Sequence, residues 1–469
     1  MALTLKVRFA MTDFIIKKLP YDLSSYAGLA IIGKYLKSIK ISSLIDSAYP
    51  VRSGVSNSDV LKSYLGLLCL GKNDFDAIEN FRDNAFFKRA LGLEHVPSSP
   101  TLRQRLNAHA AAWFDLMPQI NQRLLAGRIG GKFIDFGALD CGYTPVDLDT
   151  FAMNNSFTKK ELVGRTYAGV DGYCPFAVYL GSLGYCLELA LRPGVQHSAA
   201  ESQYNFERAL PFAASLVAGS LLVRADSGFC SLKLMQEVAA QANELKREIA
   251  FIIKWNPRKT PVEAIASKKT ADASTPWVTL RPGKRECIWQ ESLDLPNVGS
   301  ASNPARRVYR LTERTIDKRG VALLLPDYEI EGWTTTLPEK FSATDIIALY
   351  CDHATHEQFG KTPSQHSEFK TDMDLERLPS GKFDTNYLVC QLAALAMNLL
   401  RLIGQNTLND ADSPVRHTAK RRRIRTVMQE MMFKAGRMIK HAGRWILGLG
   451  ESDSGFAVFE RHYDQLSTA

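Results

Sequence analysis

The eight cysteines, at positions 69, 141, 174, 186, 230, 287, 351 and 390, contain no Cys-x-x-Cys pair. That spacing speaks against a zinc site and gives no basis for a disulfide framework, so a reducing cytoplasm is the simpler setting. No window reaches the apolar length of a membrane span. The opening "MALTLKVRFAMTDFIIKKLP" has neither a sustained apolar core nor a small-residue cleavage site, so no leader is expected. There is no internal repeat and no long low-complexity tract, which excludes solenoids and disordered arrays. Acidic residues are also in deficit. Against 58 Lys and Arg stand 49 Asp and Glu, leaving +9 at neutral pH. That balance favours an anionic partner. What remains, at 45% hydrophobic and 23% charged residues over 469 positions, is a globular chain too long for one ordinary domain.

The first 130 residues read as helical. In "TLRQRLNAHAAAWFDLMPQINQRLLAG" the residues Leu102, Leu106, Trp113, Met117, Ile120 and Leu124 recur at helical spacing, and the preceding "PSSP" supplies hydroxyl caps. Near 145 the period changes to two. In "PVDLDTFAM", Val146 and Leu148 alternate with Asp147 and Asp149, so one strand face is apolar and the other presents two carboxylates. Strands in "YAGVDGYCPFAVYLG" and "YCLELALRP", a helix in "ESQYNFERALPFAASLVAG", and strands in "LLVRADSGF" and "EIAFIIKWNPRK" follow. Strands followed by a helix and further strands fit an α/β mixed sheet flanked by helices. Residues 259–340 are rich in short alternating runs with few helical signals and read as a β-rich insertion. Helical periodicity returns from about 343.

The stretch "LLVRADSGFC" carries the chemical question, because a buried strand ends on Asp226 and turns at Ser227-Gly228. Asp and Gly are ordinary turn residues. A carboxylate at the lip of an α/β sheet is also where catalytic groups gather. Two-metal phosphoryl transfer needs several carboxylates converging on Mg²⁺, since hard cations take oxygen ligands. Asp149 or Asp147 supplies one candidate, Asp226 a second and Glu357 a third, with separations of 77 (from Asp149) and 131 residues. Spacing alone does not single out this triple.

The wording around these carboxylates is more specific. "VDLDTFAMNNSFTKKELVGRTYAGVDGY", "LRPGVQHS", "LLVRADSGF", "IIKWNPRK" and "EQF…HSEFKTDMDLERLPSGKFDTN…LAALAMNLLRLIGQ" together resemble bacterial insertion-sequence transposases. The branch is the DDE type with a β-strand insertion before the last acidic residue, and the likeness runs over about residues 55–450. It implies an RNase H-like fold and a Mg²⁺-dependent enzyme, with Mn²⁺ able to substitute. It also implies double-stranded DNA as partner, as terminal inverted repeats and as target, and a homodimer on paired ends. Carried over by position, Asp149, Asp226 and Glu357 match the metal-binding, catalytic triad, with Asp147 the rival for the first place and Glu368 for the third.

This sequence departs from the family's Tyr, Arg, Glu, Lys series. Tyr350 and Glu357 fit, His353 stands for the Arg, and Ser364 stands where the Lys belongs. Lifting out "GKTPSQ", residues 360–365, restores Lys370 to the expected distance from Glu357. Pro363 would break a continuous helix there.

Tyr350, His353, Lys370, Arg224 and Lys254 are the expected DNA contacts. Lys420, Arg421, Arg422, Arg423 and Arg425 join them, from a run where six of ten residues are basic and phosphate contact competes with a plain solvated face. His356 flanks Glu357, Asp171 reads as a turn residue or a fourth ligand, and Trp255 and Trp333 read as core or as a base-stacking surface.

The resulting expectation is a helical DNA-recognition or dimerisation region over 1–130 and an RNase H-like catalytic domain over 131–258 and 341–405. The β-rich insertion lies between those two parts, and a basic segment covers 406–469. The activity is cutting at terminal repeats and joining 3′ ends to target DNA, in the bacterial nucleoid, with no membrane association. A nuclease of the same fold without strand transfer, and a catalytically dead DNA-binding derivative, are the alternative readings.

Overall fold

A computed structural model describes residue 14 and residues 16–466 except 199, 201, 258–259, 301–302 and 359–366, with backbone alone at 202, 205 and 353–358. The N-terminal part is helical: α1 (Leu29–Ser38), α2 (Ile41–Ala48), α3 (Asn57–Cys69), α4 (Ala85–Ala90), α5 (Ser99–Trp113) and α6 (Leu116–Leu125). Ser56 and Ser98 cap α3 and α5 by accepting from the N–H groups of Asp59 and Thr101, the standard use of a hydroxyl before a first turn. The single amphipathic helix expected over 102–124 is two helices, broken at Phe114-Asp115. Pro118 has no N–H and its ring would strike the carbonyl four residues back, so the helix restarts at Leu116 with the proline in its first turn.

The central sheet has nine strands among the described residues: β1 (Thr144–Thr150), β2 (Phe176–Leu180), β3 (Tyr185–Ala190), β4 (Leu221–Ala225), β5 (Ile249–Lys254), β6 (Val278–Arg281), β7 (Lys284–Ser292), β8 (Arg306–Ile316) and β9 (Ala322–Thr335). Their order is β6-β7-β8-β9-β5-β4-β1-β2-β3. β1, β4 and β5 run parallel, while β2 is antiparallel to β1 and β3 is antiparallel to β2. The five strands from β3 to β5 thus form the mixed sheet, flanked by helices, that the sequence predicts. Residues 259–340 contain helix α9 (Val262–Ala271), which the composition did not signal. Their strands extend the same sheet, because β9 pairs antiparallel with β5.

Helices α7 (Ser202–Leu216) and α8 (Leu232–Glu244) join Val146, Leu148, Leu221, Val223, Phe251 and Ile253 in the main core. On the other face, helix α10 (Ala343–Gln358) packs Ile346, Ile347 and Tyr350 against Leu222, Ala250, Ile252 and Trp333.

Helix α11 (Phe383–Thr407) is long and apolar enough to cross a membrane, with mean hydropathy 1.6 in its best window, yet 94% of that window is buried in the protein. It is the core helix, a case the sequence reading did not anticipate. Its Asn398 accepts from the N–H of Cys186 and donates to the Cys186 carbonyl on edge strand β3. Covering an edge in this way satisfies backbone groups that otherwise invite foreign strands. The chain closes with helix α12 (Ile424–Val427), the hairpin β10 (Gly436–His441) and β11 (Arg444–Leu449), and helix α13 (Phe456–Gln465). Ile424, Val427, Val458 and Phe459 share the main core with the N-terminal helices.

Candidate active site

The parallel pairing of β1 with β4 matches Leu148 to Ala225. The next residues are Asp149 and Asp226, so two carboxylates stand at the same level on neighbouring strands, about 4.8 Å apart in the pairing direction. Asp226 also caps a short 3₁₀ turn, Ser227–Phe229, accepting from the N–H of Gly228 at 2.9 Å. The turn reading of "ADSGF" is met, and the turn lies at the strand end. A Cβ on Gly228 would come within 3.0 Å of Asp226 Oδ1 and 3.2 Å of Ser198. Glycine is thus the residue that lets this carboxylate sit so close to the Ser198 loop. Asp149 Oδ1 accepts from the N–H of Thr150 at 2.7 Å.

Asp147 stands on the same strand face two residues earlier and does different work. Both its oxygens accept from Arg224, at 2.7 Å each, and the pair is buried, with side-chain exposures of 8% and 0%. Arg224 also donates to the carbonyl of Leu349 at 2.8 Å and lies 3.7 Å from Asp352. It therefore ties β1 and β4 to α10. Burial opposes its charge, but Asp147 and Asp352 hold the guanidinium's pKa above its ordinary value. Arg224 was expected at phosphate; in this structure its fork is filled by Asp147 inside the protein.

Several groups at the site escaped the sequence reading. Tyr167 donates to the carbonyl of Thr150 at 3.1 Å. Burial of its hydroxyl, with Cys174, Asp149 and Asp226 nearby, raises its pKa to about 12. The field of the two carboxylates is thus felt at one point. Arg192, inside "LRPGVQHS", is buried and donates to the carbonyls of Cys174, Ser198 and Ala200, fixing the loop whose Ser198 hydroxyl lies 2.8 Å from that of Thr150. The signal for Arg192 was present in its motif, but a buried arginine bonded to carbonyls has no periodicity to betray it.

The third carboxylate is treated differently. α10 extends through position 357, while the side chains of His353, His356 and Glu357 lie outside the described residues, as does "GKTPSQ". Glu368 is fully buried, paired with Arg401 of α11 at 2.6 Å and accepting from the N–H of Ile424 at 2.9 Å. It opens a π-helical turn, Glu368–Asp372, whose Phe369 stacks on Phe151 at 6.4 Å. Lys370 donates to the carbonyl of Ala152 and pairs with Glu376, both at 2.9 Å. Among the described residues no group of three or more His, Cys, Asp or Glu could hold a metal ion.

The basic run is largely internal. Arg421 and Arg422 are 5% and 7% exposed, Arg422 donates to the carbonyl of Leu408, and Arg423 forks onto Asp372 at 2.7 and 2.8 Å. Burial lowers the pKa of Arg421 to about 10, against the pull of Glu368. Neither the DNA contact expected of these three nor a plain solvated face describes them: Arg421 lies in the field of buried Glu368, Arg423 is paired with buried Asp372, and Arg422 is spent on a backbone carbonyl, since buried acids need cations beside them. Lys420 and Arg425 are exposed. Tyr350 is buried against Trp333, which packs in the core. Lys254 pairs with Glu331 at 2.9 Å, and Asp171 pairs with Arg165 at the surface.

Residues 21–469 match the family described as Transposase DDE domain group 1. The chain belongs to that family of DDE transposases. No curated protein sequence matches it. Among solved structures it is similar to a piggyBac transposase synaptic complex with hairpin DNA, at 11% identity and TM-score 0.42, over 87% of this chain and 79% of that one. The protein is a DNA transposase.

Proposed function

We propose that this transposase cuts DNA at its element's terminal repeats and joins the freed 3′ ends to target DNA, using Asp149, Asp226 and Glu357. The observation that carries the reading is the level placement of Asp149 and Asp226 on adjacent parallel strands. Support for Glu357 comes from the course of α10. Phe341, just before the helix, packs on Tyr143, just before β1, and Leu349 meets Arg224 on β4, so helix and strands run in the same sense. Five residues beyond Asp352 the helix has advanced about 7.5 Å, against about 6.6 Å from Arg224 to Asp226. Position 357 also follows Tyr350 by seven residues, nearly two full turns, and so falls on the helix face that bears buried Ile346 and Tyr350.

The donor set, carboxylate oxygens on neighbouring strand ends, suits hard divalent cations such as Mg²⁺ or Mn²⁺. When bound, such cations neutralise charge on the phosphoryl oxygens and activate water. The chain's own part is positional. Asp149, Asp226 and Glu357 would hold the cations, and Arg224 ties α10, the helix that carries position 357, to β1 and β4. Hydrolysis forms one phosphorus–oxygen bond as another breaks, and the released 3′-hydroxyl repeats the displacement on target DNA. Two copies on paired ends suit that sequence of steps.

The test is incubation of the protein with end-containing DNA and Mg²⁺. Nicking at the repeat and strand-transfer products are expected, and Asp226→Asn should lose both while binding the ends undiminished. Wild-type cleavage by Asp226→Asn would remove that residue from the site, and cutting without joining would make the protein a nuclease.

A further inference from the structure

Three of the six basic residues in the densest run, Arg421, Arg422 and Arg423, are engaged inside the protein. With Arg421, Arg422 and Arg423 turned inward, another basic surface becomes the conspicuous one. A cleft of about 490 Å³ opens between the α1–α2 corner and α4, and Lys34, Lys37, Lys40, Lys62 and Arg89 line it with no Asp or Glu in the lining. Lys62 is already engaged, 3.2 Å from Asp59 and donating to the Gly92 carbonyl. Lys34 lies 4.4 Å over the ring of Tyr463 from α13. Lys37, Lys40 and Arg89 are exposed, and no ion pair to a described carboxylate is formed by them. Lys40 holds a φ of 55°, a left-handed backbone that costs energy in a non-glycine residue and persists where its surroundings enforce it.

The charge continues past the cleft. The Arg89 guanidinium stacks 4.1 Å over the Trp445 ring, and the Lys440 ammonium lies 5.7 Å from the same ring. The Arg89 contact joins α4 to the hairpin β10–β11, within which Lys440 and Trp445 are cross-strand partners, and the hairpin exposes Lys440, His441 and Arg444. Cations drawn from residues 34–40, 89 and 440–444 thus form one strip. Gathering like charges is unfavourable unless an anion answers them, and a strip rather than a single pocket matches a polyanion with charges repeated along its length.

We propose that this cleft and the hairpin beside it form a phosphate track for duplex DNA, distinct from the strand-end aspartates; the assignment rests on the DNA-cutting reading above. Lysine and arginine contacts to phosphate position a duplex without reading its sequence, so the track serves any duplex equally.

The experiment measures affinity of the full chain for an end-containing duplex, an unrelated duplex and inorganic tripolyphosphate across a salt series. It compares wild type with Lys37→Ala/Lys40→Ala/Arg89→Ala, with Lys440→Ala/Arg444→Ala, and with Lys318→Ala/Arg319→Ala as a remote basic control. Removing one cation that pairs with a DNA phosphate should flatten the slope of log K against log salt by about 0.9. The cleft variant should therefore drop by roughly two to three units on both duplexes, the control should not change, and Lys37→Arg/Lys40→Arg should keep the wild-type slope. An unchanged slope in the cleft variant overturns the proposal. So does weakening confined to inorganic tripolyphosphate, which would make the cleft a small-anion site. The outcomes separate from those of the catalytic reading. A chain that cuts normally with the cleft variant unaffected loses only the track, whereas a chain that binds through the cleft but never cuts loses only the cleavage.

Discussion

Asp147 and Asp149 show how little residue type says about role. They share a strand and a face, yet one is locked in a buried fork with Arg224 and the other stands beside Asp226 at the strand end. The difference is two residues of strand, about 6.6 Å, which carries the second carboxylate from the covered middle of the sheet to its lip. The two should separate cleanly by mutation. Asp149→Asn is expected to abolish metal-dependent cleavage with the denaturation midpoint nearly unchanged. Asp147→Ala strands a buried guanidinium and should cost about 3–5 kcal/mol in stability. Denaturant titration alongside a cleavage assay checks both, and a stable, inactive Asp147→Ala would exchange their roles.

Among the elements, α11 does most to join the parts. It packs the N-terminal helices on one side and edge strand β3 on another. Asn398 completes both hydrogen bonds of Cys186, and Asn121 of α6 reaches the same strand. Asn398→Leu is nearly the same size but leaves the Cys186 N–H buried without that acceptor. A loss of about 1–3 kcal/mol in urea unfolding is expected, and no loss would mean the edge finds another partner. The segment 420–425 has a comparable function. Its Arg423 pairs with Asp372 and its Ile424 N–H donates to Glu368, so the π-helical turn beside Phe151 is held in part by a segment that reads as a DNA-binding tail.

For the whole molecule, the first and last described helices are joined by one buried pair. Tyr35 of α1 and His462 of α13 meet at 3.0 Å. Burial lowers the His462 pKa from 6.5 to about 4. A base whose folded pKa lies below its unfolded value is neutral in both states above pH 6.5. Below that pH the unfolded chain takes the proton first, so stability falls as pH drops from 6.5 toward 4. A shift of that size corresponds to about 3 kcal/mol. The wild type should lose that much more than His462→Gln over this window in equilibrium unfolding. Parallel pH profiles for the two proteins would show that the histidine is not the group responsible.

The sequence by itself determined the strands of the catalytic sheet, because a period of two with one apolar face has few other uses. It also determined the capped helix starts and the family, through blocks of residues around Asp149, Asp226 and Glu357. Those signals are local, and local spacing is what a sequence displays. Tertiary structure alone decided which carboxylates are structural. Asp147 and Glu368 were rivals on paper, and each is claimed by an arginine, 77 and 33 residues away respectively. It also decided the fate of the charges. Arg421 and Arg423 turn inward beside buried acids, while exposed cations from three distant segments line one strip. Burial and long-range pairing depend on which elements pack together, and no spacing along the chain encodes that directly.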